Sequence, residues 1–301
     1  MTAPMPLRSM LFIPGDSEKK MAKAATCGAD AVILDLEDSV APQNKAQARA
    51  LVAVFLGATA RADRPCQYWV RINPFDTGLS LDDLAAVVPG VPDGIMQPKT
   101  DSPDDVRRLS YYLDALEVAH GIDPGTIRIV PIATETARAP FALGDFAGAG
   151  LDRLLGLTWG AEDLATAIGA STNRDGDGEW AYTFRTVRAL TLLAARAAGV
   201  QPIDTLHADF GNEAALCESC LASRADGFTG RLAIHPAQVA TINACFTPSA
   251  QEVAHAERIL AAFAANPGAG TVGLDGKMID IPHRKQAEAI LAQARAFALP
   301  G

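Results

Sequence analysis

Hydrophobic and β-branched residues recur along the chain in short runs, which are separated by longer stretches of helical periodicity. Short apolar runs bounded by polar or turn residues predict buried strands, and apolar residues at three- and four-residue spacing predict amphipathic helices. The predicted helices include Asn44–Ala60, Asp104–Ala119, Thr183–Ala198 and Asn212–Ala225. The predicted strands are Ser9–Ile13, Ala31–Leu34, Gln67–Ile72, Gly94–Gln97, Arg128–Ala133, Arg153–Leu157, Ile203–Leu206 and Arg231–Ile234.

Repetition of a strand and a helix eight times favours an α/β fold, specifically a (β/α)8 TIM barrel. Eight parallel strands joined by crossover helices close naturally into a barrel, whereas an open doubly wound sheet usually has fewer strands and a glycine fingerprint. Beyond Cys245 the pattern changes to a helix-like Gln251–Ala265, a Gly/Pro-rich break and a final helix, His283–Ala298. We therefore expect a barrel over residues 1–246 and a C-terminal helical extension and lid over residues 247–301.

Composition narrows the classes of partner. The net charge of -9 over 301 residues lacks the basic surface that nucleic-acid binding normally needs. No apolar run approaches the roughly 20 residues that span a bilayer. Five cysteines in a chain of this length argue against a disulfide framework and for reducing surroundings. We expect a cytoplasmic protein with no nucleic-acid partner and no membrane partner.

Polar residues follow nearly every predicted strand. In a barrel the active site is assembled at the carboxyl ends of the strands, so these side chains are expected to converge on one rim. They are Asp35, Glu37 and Asp38 after the second strand, Arg71 and Asn73 after the third, Lys99 after the fourth, Glu135 after the fifth, Glu162 and Asp163 after the sixth, and His235 after the eighth.

Glu135 and Asp163 follow adjacent strands, which lie about 4.8 Å apart, so their carboxylates could share one cation. Two carboxylates completed by water and substrate oxygens suit Mg²⁺. Alternatively, the two residues cap the helices that follow them, as acidic residues near helix starts often do. The residue pattern by itself leaves both interpretations open.

Three basic positions also have two interpretations. Arg71 could grip a substrate carboxylate with its planar guanidinium, or form a structural ion pair with Glu37 or Asp38. Lys19 and Lys23 lie one turn apart near a predicted helix start, where they could bind phosphates or simply form a solvated face.

Eight sequence strings, each at or next to a predicted strand or in the tail, carry a family resemblance. They are RSMLFIPGDSEKKMAKA, AVILDLEDSV, VRIN, MQPK, PIATETA, GAEDL, AIHPAQV and GKMIDIPH. Together they resemble the HpcH/HpaI aldolase and citrate lyase beta subunit family, which includes the malyl-CoA and citramalyl-CoA lyases. The resemblance covers nearly the whole chain.

The resemblance implies roles for individual residues. Glu135 and Asp163 are expected to bind Mg²⁺, and Arg71 to hold the carboxylate of the 2-oxo acid portion. Three further positions match coenzyme A contacts: Phe12 near the adenine, and Lys19 and Lys23 near the phosphates.

Asp280, in the GKMID string, matches an acid/base residue that serves the active site of a neighbouring subunit. A homo-oligomer, either a trimer or a hexamer, is therefore implied. The implied activity is Mg²⁺-dependent cleavage of a 3-hydroxyacyl-CoA thioester of the malyl, citramalyl or citryl type to acetyl-CoA and a 2-oxo acid. Alternatives are the citryl lyase subunit of a citrate lyase complex, a malyl-CoA thioesterase, and a non-catalytic module that binds coenzyme A or a 2-oxo acid.

Overall fold

We describe the protein from a computed structural model, in which residues 6–24 and 26–298 are described. The chain divides into two compact units. Residues 7–242 form the first unit, and the described part of the second consists of Pro6 and residues 243–298.

Eight parallel strands form the sheet of the first unit. Their order is β5-β4-β3-β2-β1-β8-β7-β6, and two isolated parallel bridges, Ile129 to Leu154 and Ile132 to Thr158, join β5 to β6 at the ends of this order. The sheet is thus a nearly closed barrel, and the predicted TIM-barrel fold is confirmed. The strands are β1 (Ser9–Pro14), β2 (Ala31–Asp35), β3 (Gln67–Arg71), β4 (Gly94–Gln97), β5 (Arg128–Pro131), β6 (Gly156–Leu157), β7 (Gln201–Asp204) and β8 (Gly230–Ala233).

Helices follow most of the barrel strands. They are α1 (Glu18–Ala24), α2 (Lys45–Gly57), α3 (Ser80–Val87), α4 (Pro103–Ala119), α5 (Ala161–Ile168), α6 (Tyr182–Ala197), α7 (Glu213–Asp226) and α8 (Val239–Phe246). The segment after β5 differs, because Ala139–Phe146 forms a 3-10 helix instead of an α-helix. Within the described ranges, no helix is long and apolar enough to cross a membrane.

Large apolar side chains fill the interior of the barrel. Ile33 and Trp69 are register partners on neighbouring strands and both are fully buried. Gly94 makes room for the indole, since a Cβ at this position would lie 2.2 Å from a ring carbon of Trp69. The remaining core residues are Leu7, Met10, Ala31, Met96, Val130, Ile132, Ile203 and Leu232. This filled interior leaves the carboxyl ends of the strands as the place for a site.

Two helices and a hairpin form the second unit: α9 (Ala250–Ala264), β9 (Thr271–Leu274), β10 (Lys277–Asp280) and α10 (Ile281–Ala298). The helices were predicted, but the hairpin was not. Its turn contains Asp275 and Gly276, both with positive φ, which is the Asp-Gly arrangement that tight hairpins prefer. Ala256, Ile259, Phe263, Val272, Ile279, Ala287 and Leu291 form the core of this unit.

Candidate active site

Strand register brings the first two charged residues of the rim together. Asp35 and Arg71 end β2 and β3 and are direct partners in the ladder. The guanidinium donates two parallel hydrogen bonds, from Nε to Oδ1 and from Nη2 to Oδ2 of Asp35, both 2.7 Å long. Burial acts to raise the pKa of Asp35, but the charge and hydrogen bonds of Arg71 outweigh it and lower the pKa. Asp35 therefore stays ionised and holds the guanidinium of Arg71 in place.

A second carboxylate and an aromatic ring complete the surroundings of Arg71. Its Nη1 lies 2.8 Å from Oε2 of Glu37 and 3.6 Å from Oδ2 of Asp38. Its Cζ lies 4.7 Å from the centroid of the Phe12 ring. The predicted ion pair with Glu37 is thus present, although Asp35 is the bidentate partner. Because a guanidinium carries five N–H donors, these contacts still leave donors for a substrate carboxylate.

The two acidic residues predicted to hold a metal are linked through Lys99. The backbone nitrogen of Lys99 donates to Oε2 of Glu135 over 2.6 Å. Its ammonium lies 3.4 Å from Oδ1 of Asp163 and 2.6 Å from Oε1 of Glu37. The barrel therefore brings Glu37, Glu135 and Asp163 into one cluster around a single lysine.

Gly160 lets Glu135 lie directly against the segment that carries Asp163. A Cβ at this position would lie 2.8 Å from Cγ and 3.0 Å from Oε1 of Glu135. Asp163 follows three residues later, in the first turn of α5, whose N-cap is Gly160 and has no side-chain cap hydrogen bond. Glu135 itself accepts from Lys99 and caps no helix start. These contacts place Glu135 beside the segment that carries Asp163, as a shared cation site requires, while Asp163 also lies in the first turn of α5, so the metal role of the two residues stays a prediction. Gly160 was missed in the sequence, where only its position just before Glu162 and Asp163 hinted at it.

The electrostatics of this cluster favour an added cation. Burial, followed by the charge of Glu37 and then that of Asp163, raises the pKa of Glu135 to about 8. Burial likewise raises the pKa of Glu37 to about 6, with opposing effects from Arg71 and Lys99. The carboxylates of the cluster also outnumber its cations: Asp35, Glu37, Asp38, Glu135 and Asp163 face Arg71, Lys99 and Lys45.

Glu135 and Asp163 offer carboxylate oxygens to such a cation, which suits Mg²⁺ or another hard ion. In the described ranges, no group of three or more His, Cys, Asp or Glu side chains is arranged to hold a metal. A magnesium ion held by Glu135 and Asp163 would therefore keep much of its hydration or take oxygens from a substrate, as Mg²⁺ commonly does. The residues present fit Mg²⁺ on these grounds.

A cavity of about 430 Å³ opens over these residues. Its lining includes the charged residues Asp35, Asp38, Arg71, Glu135, Glu162 and Asp163. It also includes the apolar residues Phe12, Ile132, Trp159, Leu206, Leu232 and Ile234. A small acid that carries both polar and apolar groups matches this mixed lining.

A second cavity of about 310 Å³ shares Phe12 with the first. Lys20 and Lys23 also line it, together with His235. Lys19 is exposed on the same helix and does not line this cavity, whereas the neighbouring Lys20 does. The structure therefore brings two of the three predicted coenzyme A positions, Phe12 and Lys23, to one cavity.

Asp280 lies in the second unit, as the last residue of β10. Its carboxylate is within hydrogen-bond distance of Nδ1 of His283, and this hydrogen bond lowers the pKa of Asp280. The role predicted for Asp280 at a neighbouring subunit's site stays a prediction.

The fold and the site together define a TIM-barrel protein with a carboxylate-rich candidate cation site and an arginine at the carboxyl ends of its strands. The model of the HpcH/HpaI aldolase/citrate lyase family matches residues 8–236. The chain belongs to this family, as its sequence strings predicted.

Named relatives resemble the chain over nearly its whole length. Citrate lyase subunit beta of Escherichia coli K12 is 35% identical over 95% of this chain and 93% of its own. The mitochondrial citramalyl-CoA lyase of Rattus norvegicus is 31% identical over 97% of this chain and 87% of its own. A (3S)-malyl-CoA thioesterase of Cereibacter sphaeroides is 34% identical over 97% and 96%, respectively.

A solved structure shows the same fold with ligands. The CitE protein of Mycobacterium tuberculosis, crystallised with magnesium, acetoacetate and coenzyme A, superposes with a TM-score of 0.77 at 32% identity. The match covers 95% of this chain and 97% of that one. Two of the three relatives with a named activity are lyases, and the third is a thioesterase.

Proposed function

We propose that the protein is a Mg²⁺-dependent carbon-carbon lyase, which cleaves a 3-hydroxyacyl-CoA thioester of the malyl, citramalyl or citryl type to acetyl-CoA and a 2-oxo acid. The main support is the buried Glu135, which shares one cavity with Asp163 and Arg71. A carboxylate pair beside an anchored arginine suits a substrate that carries both a hydroxyl and a carboxylate. The magnesium and coenzyme A in the CitE structure of M. tuberculosis support the same assignment.

Substrate binding is proposed to divide between the two cavities. Arg71, held by Asp35, binds the carboxylate of the acid portion through its remaining N–H donors. Phe12, which lines both cavities, lies near the adenine of coenzyme A. Lys19 and Lys23 bind the phosphates of coenzyme A. Lys20 is an additional candidate for the phosphates because it lines the smaller cavity.

Proton transfer and charge stabilisation complete the proposed reaction. Glu135 and Asp163 would hold Mg²⁺, which supplies Lewis-acid polarisation of the substrate's hydroxyl and carboxylate oxygens. In the cleavage direction the substrate's 3-hydroxyl gives its proton to the carboxylate of Asp280 from a neighbouring subunit, and the bond between the α and β carbons breaks to leave the 2-oxo acid and the thioester enolate. Asp280 then returns the proton to the α carbon of the enolate, which gives acetyl-CoA. In the reverse direction the same groups perform a Claisen-type condensation.

Product analysis tests this function. Purified protein with MgCl₂ is incubated with malyl-CoA, citramalyl-CoA or citryl-CoA, and acetyl-CoA and the 2-oxo acid are measured. We expect both products from at least one thioester, and their loss in Glu135→Ala. Turnover of none of them by the wild type, or unchanged turnover in Glu135→Ala, would refute the proposal.

A thioesterase is the second candidate, because a (3S)-malyl-CoA thioesterase stands among the relatives. It predicts free malate from malyl-CoA, where a lyase yields glyoxylate and acetyl-CoA. Membership of a citrate lyase complex, which the E. coli relative raises, predicts activity on a citryl group carried by a protein and not on citryl-CoA.

Mixing inactive variants tests the proposed homo-oligomer, a trimer or a hexamer. Glu135→Ala and Asp280→Asn are each expected to be inactive. If Asp280 serves the site of a neighbouring subunit, co-refolded or co-expressed mixtures regain activity, because some sites then contain both native residues. Mixtures that stay as inactive as the separate variants would show that Asp280 acts within its own chain or not at all.

A further inference from the structure

Lys99 contacts the candidate metal site with both its backbone and its side chain. The backbone N–H engages Oε2 of Glu135 at 2.6 Å. The ammonium lies 3.4 Å from Asp163, 3.9 Å from Asp38 and 2.6 Å from Glu37. A side chain that reaches three carboxylates while its own backbone holds a fourth is more than a peripheral ion-pair partner.

The backbone of Lys99 is in an unusual conformation. Its φ of 49° lies in the left-handed region, which non-glycine residues rarely adopt and which costs conformational energy. The strained residue lies two positions after the end of β4, and its own backbone nitrogen donates the hydrogen bond to Oε2 of Glu135. Since Oε1 of Glu135 is the oxygen nearer Gly160 and the α5 segment, this hydrogen bond orients the carboxylate and leaves Oε1 for another partner.

Glu37 connects the ammonium to the substrate-binding arginine. One of its oxygens faces Lys99 at 2.6 Å and the other faces Nη1 of Arg71 at 2.8 Å. The Lys99 side chain is about 30% exposed, whereas that of Glu37 is only 5% exposed. The ammonium is thus the more accessible of the two groups, and a shift of it away from Asp163 need not break its contact with Glu37.

We propose that Lys99 is the internal counter-cation of the metal site, a positioning residue that occupies the acidic cluster when no metal is bound and competes with a divalent cation for Asp163. When the cation binds, the ammonium withdraws to Glu37 and Asp38, and the backbone N–H continues to orient Glu135. The inference rests on the Mg²⁺ site of the proposed function. It assigns Lys99 control of metal affinity, with no direct contact to the reacting atoms.

Metal-binding calorimetry tests the counter-cation. MgCl₂ is titrated into metal-free wild type, Lys99→Met and Lys99→Arg. Removing a unit charge a few ångströms from Asp163 lowers the Mg²⁺ dissociation constant, by about tenfold at low ionic strength, and added salt reduces the difference. Lys99→Arg keeps the charge and is expected to stay close to the wild type. Lys285→Met, which removes an exposed lysine of the second unit, is the matched control and should leave the constant unchanged.

Stability provides a second measurement. Without metal, Lys99→Met leaves its carboxylates uncompensated, so its melting temperature falls below that of the wild type and saturating MgCl₂ recovers most of the loss. If Lys99→Met folds only with Mg²⁺ present, unfolding on chelation supports the proposal as well. If Lys99→Met does not fold at all, Lys99→Gln carries the same two expectations.

Unchanged or weaker Mg²⁺ binding in the folded neutral variants would overturn the inference. So would equal melting temperatures of the metal-free wild type and Lys99→Met. These readouts require no turnover, so they separate the inference from the proposed function. A wild type that binds Mg²⁺ but cleaves no thioester refutes the function alone, and an active wild type whose Lys99→Met binds no tighter refutes the inference alone.

Discussion

Asp204 and Glu135, two buried carboxylates near the carboxyl ends of barrel strands, differ in how completely the protein neutralises them. Asp204 ends β7 and is fully buried. Burial acts to raise its pKa, but Arg231 and Arg188 outweigh this effect and lower it. Its donors are Nε1 of Trp159 at 2.6 Å, the N–H of Thr205 at 2.9 Å, Nη2 of Arg188 at 2.9 Å, Nη2 of Arg231 at 3.4 Å and the hydroxyl of Ser223.

Glu135 is almost as buried, at 4% exposure, but its surroundings are acidic. The backbone N–H of Lys99 donates to Oε2, and burial with the charges of Glu37 and Asp163 raises the pKa of Glu135 to about 8. A buried carboxylate that is paired with two arginines and further hydrogen-bonded by neutral donors supports the structure, whereas an under-neutralised one is suited to bind an added cation. The different surroundings of Asp204 and Glu135 support the metal-binding role proposed for Glu135.

Asp204→Ala is expected to have the largest effect. It leaves the buried Arg231 without its carboxylate partner and should destabilise the protein by about 3–5 kcal/mol. Urea unfolding monitored by circular dichroism measures the change. Asp226→Ala is the control, because Asp226 also pairs with Arg188 but is 53% exposed, and its loss should cost about 0–1 kcal/mol. Equal costs for the two variants would contradict the structural role of Asp204.

Glu135→Gln should show the opposite profile. The neutral amide keeps the size of the side chain but removes a metal ligand, so activity should fall by about 100-fold or more while metal-free stability is maintained or rises. Steady-state kinetics and urea unfolding on the same preparation test both parts. A variant as unstable as Asp204→Ala, or one that keeps its activity, would remove the distinction between the two carboxylates.

The pH dependence of stability should also differ. A raised pKa in the folded state means that the contribution of Glu135 is fully present below its unfolded value of 4.5 and is lost as pH rises through about 8. The metal-free protein should therefore lose roughly 3–4 kcal/mol from this group between pH 5 and 8. Asp204, whose pKa is lowered, contributes stability above its ordinary value and loses it only as the solution becomes acidic.

Mg²⁺ provides a second test of the same carboxylate. Its binding requires the ionised form of Glu135 and releases a proton when Glu135 is protonated. Unfolding at pH 6 and pH 8, with and without MgCl₂, should show the larger stabilisation by Mg²⁺ at pH 8. Glu135→Gln should lose most of this dependence. Stabilisation of the wild type that is the same at both pH values would show that Glu135 does not titrate in this range.

Gly160→Ala should have the smallest effect. The new Cβ would displace Glu135, whose Cγ lies 2.8 Å away, and should weaken Mg²⁺ binding by about tenfold. Gly144→Ala is the matched control, since a Cβ there meets no atom within 4 Å. Calorimetric titration of both variants with MgCl₂ tests the contact. Wild-type affinity in Gly160→Ala would mean that Glu135 can move away from the new Cβ and still bind the metal.

Much of the fold was predictable because its signals are local. Each barrel strand was found within a few residues of its position, although β6 is shorter than predicted and its flanking residues Leu154 and Thr158 pair with β5 only through bridges. The hairpin of the second unit was missed even though Asp275 and Gly276 carried a signal for it. The surrounding Gly/Pro-rich composition favoured interpretation as a loop.

The sequence by itself determined the periodicity of the barrel, the rim position of Glu135, Asp163 and Arg71, and membership of the family. Only the tertiary structure decided the pairing of Arg71 with Asp35, the packing of Glu135 on Gly160, and the position of Lys99 between the acidic residues. Periodicity and strand ends follow from the neighbours of each residue along the chain. Charge pairing depends on register and on burial, which bring together residues far apart in sequence and exist only once the barrel has closed.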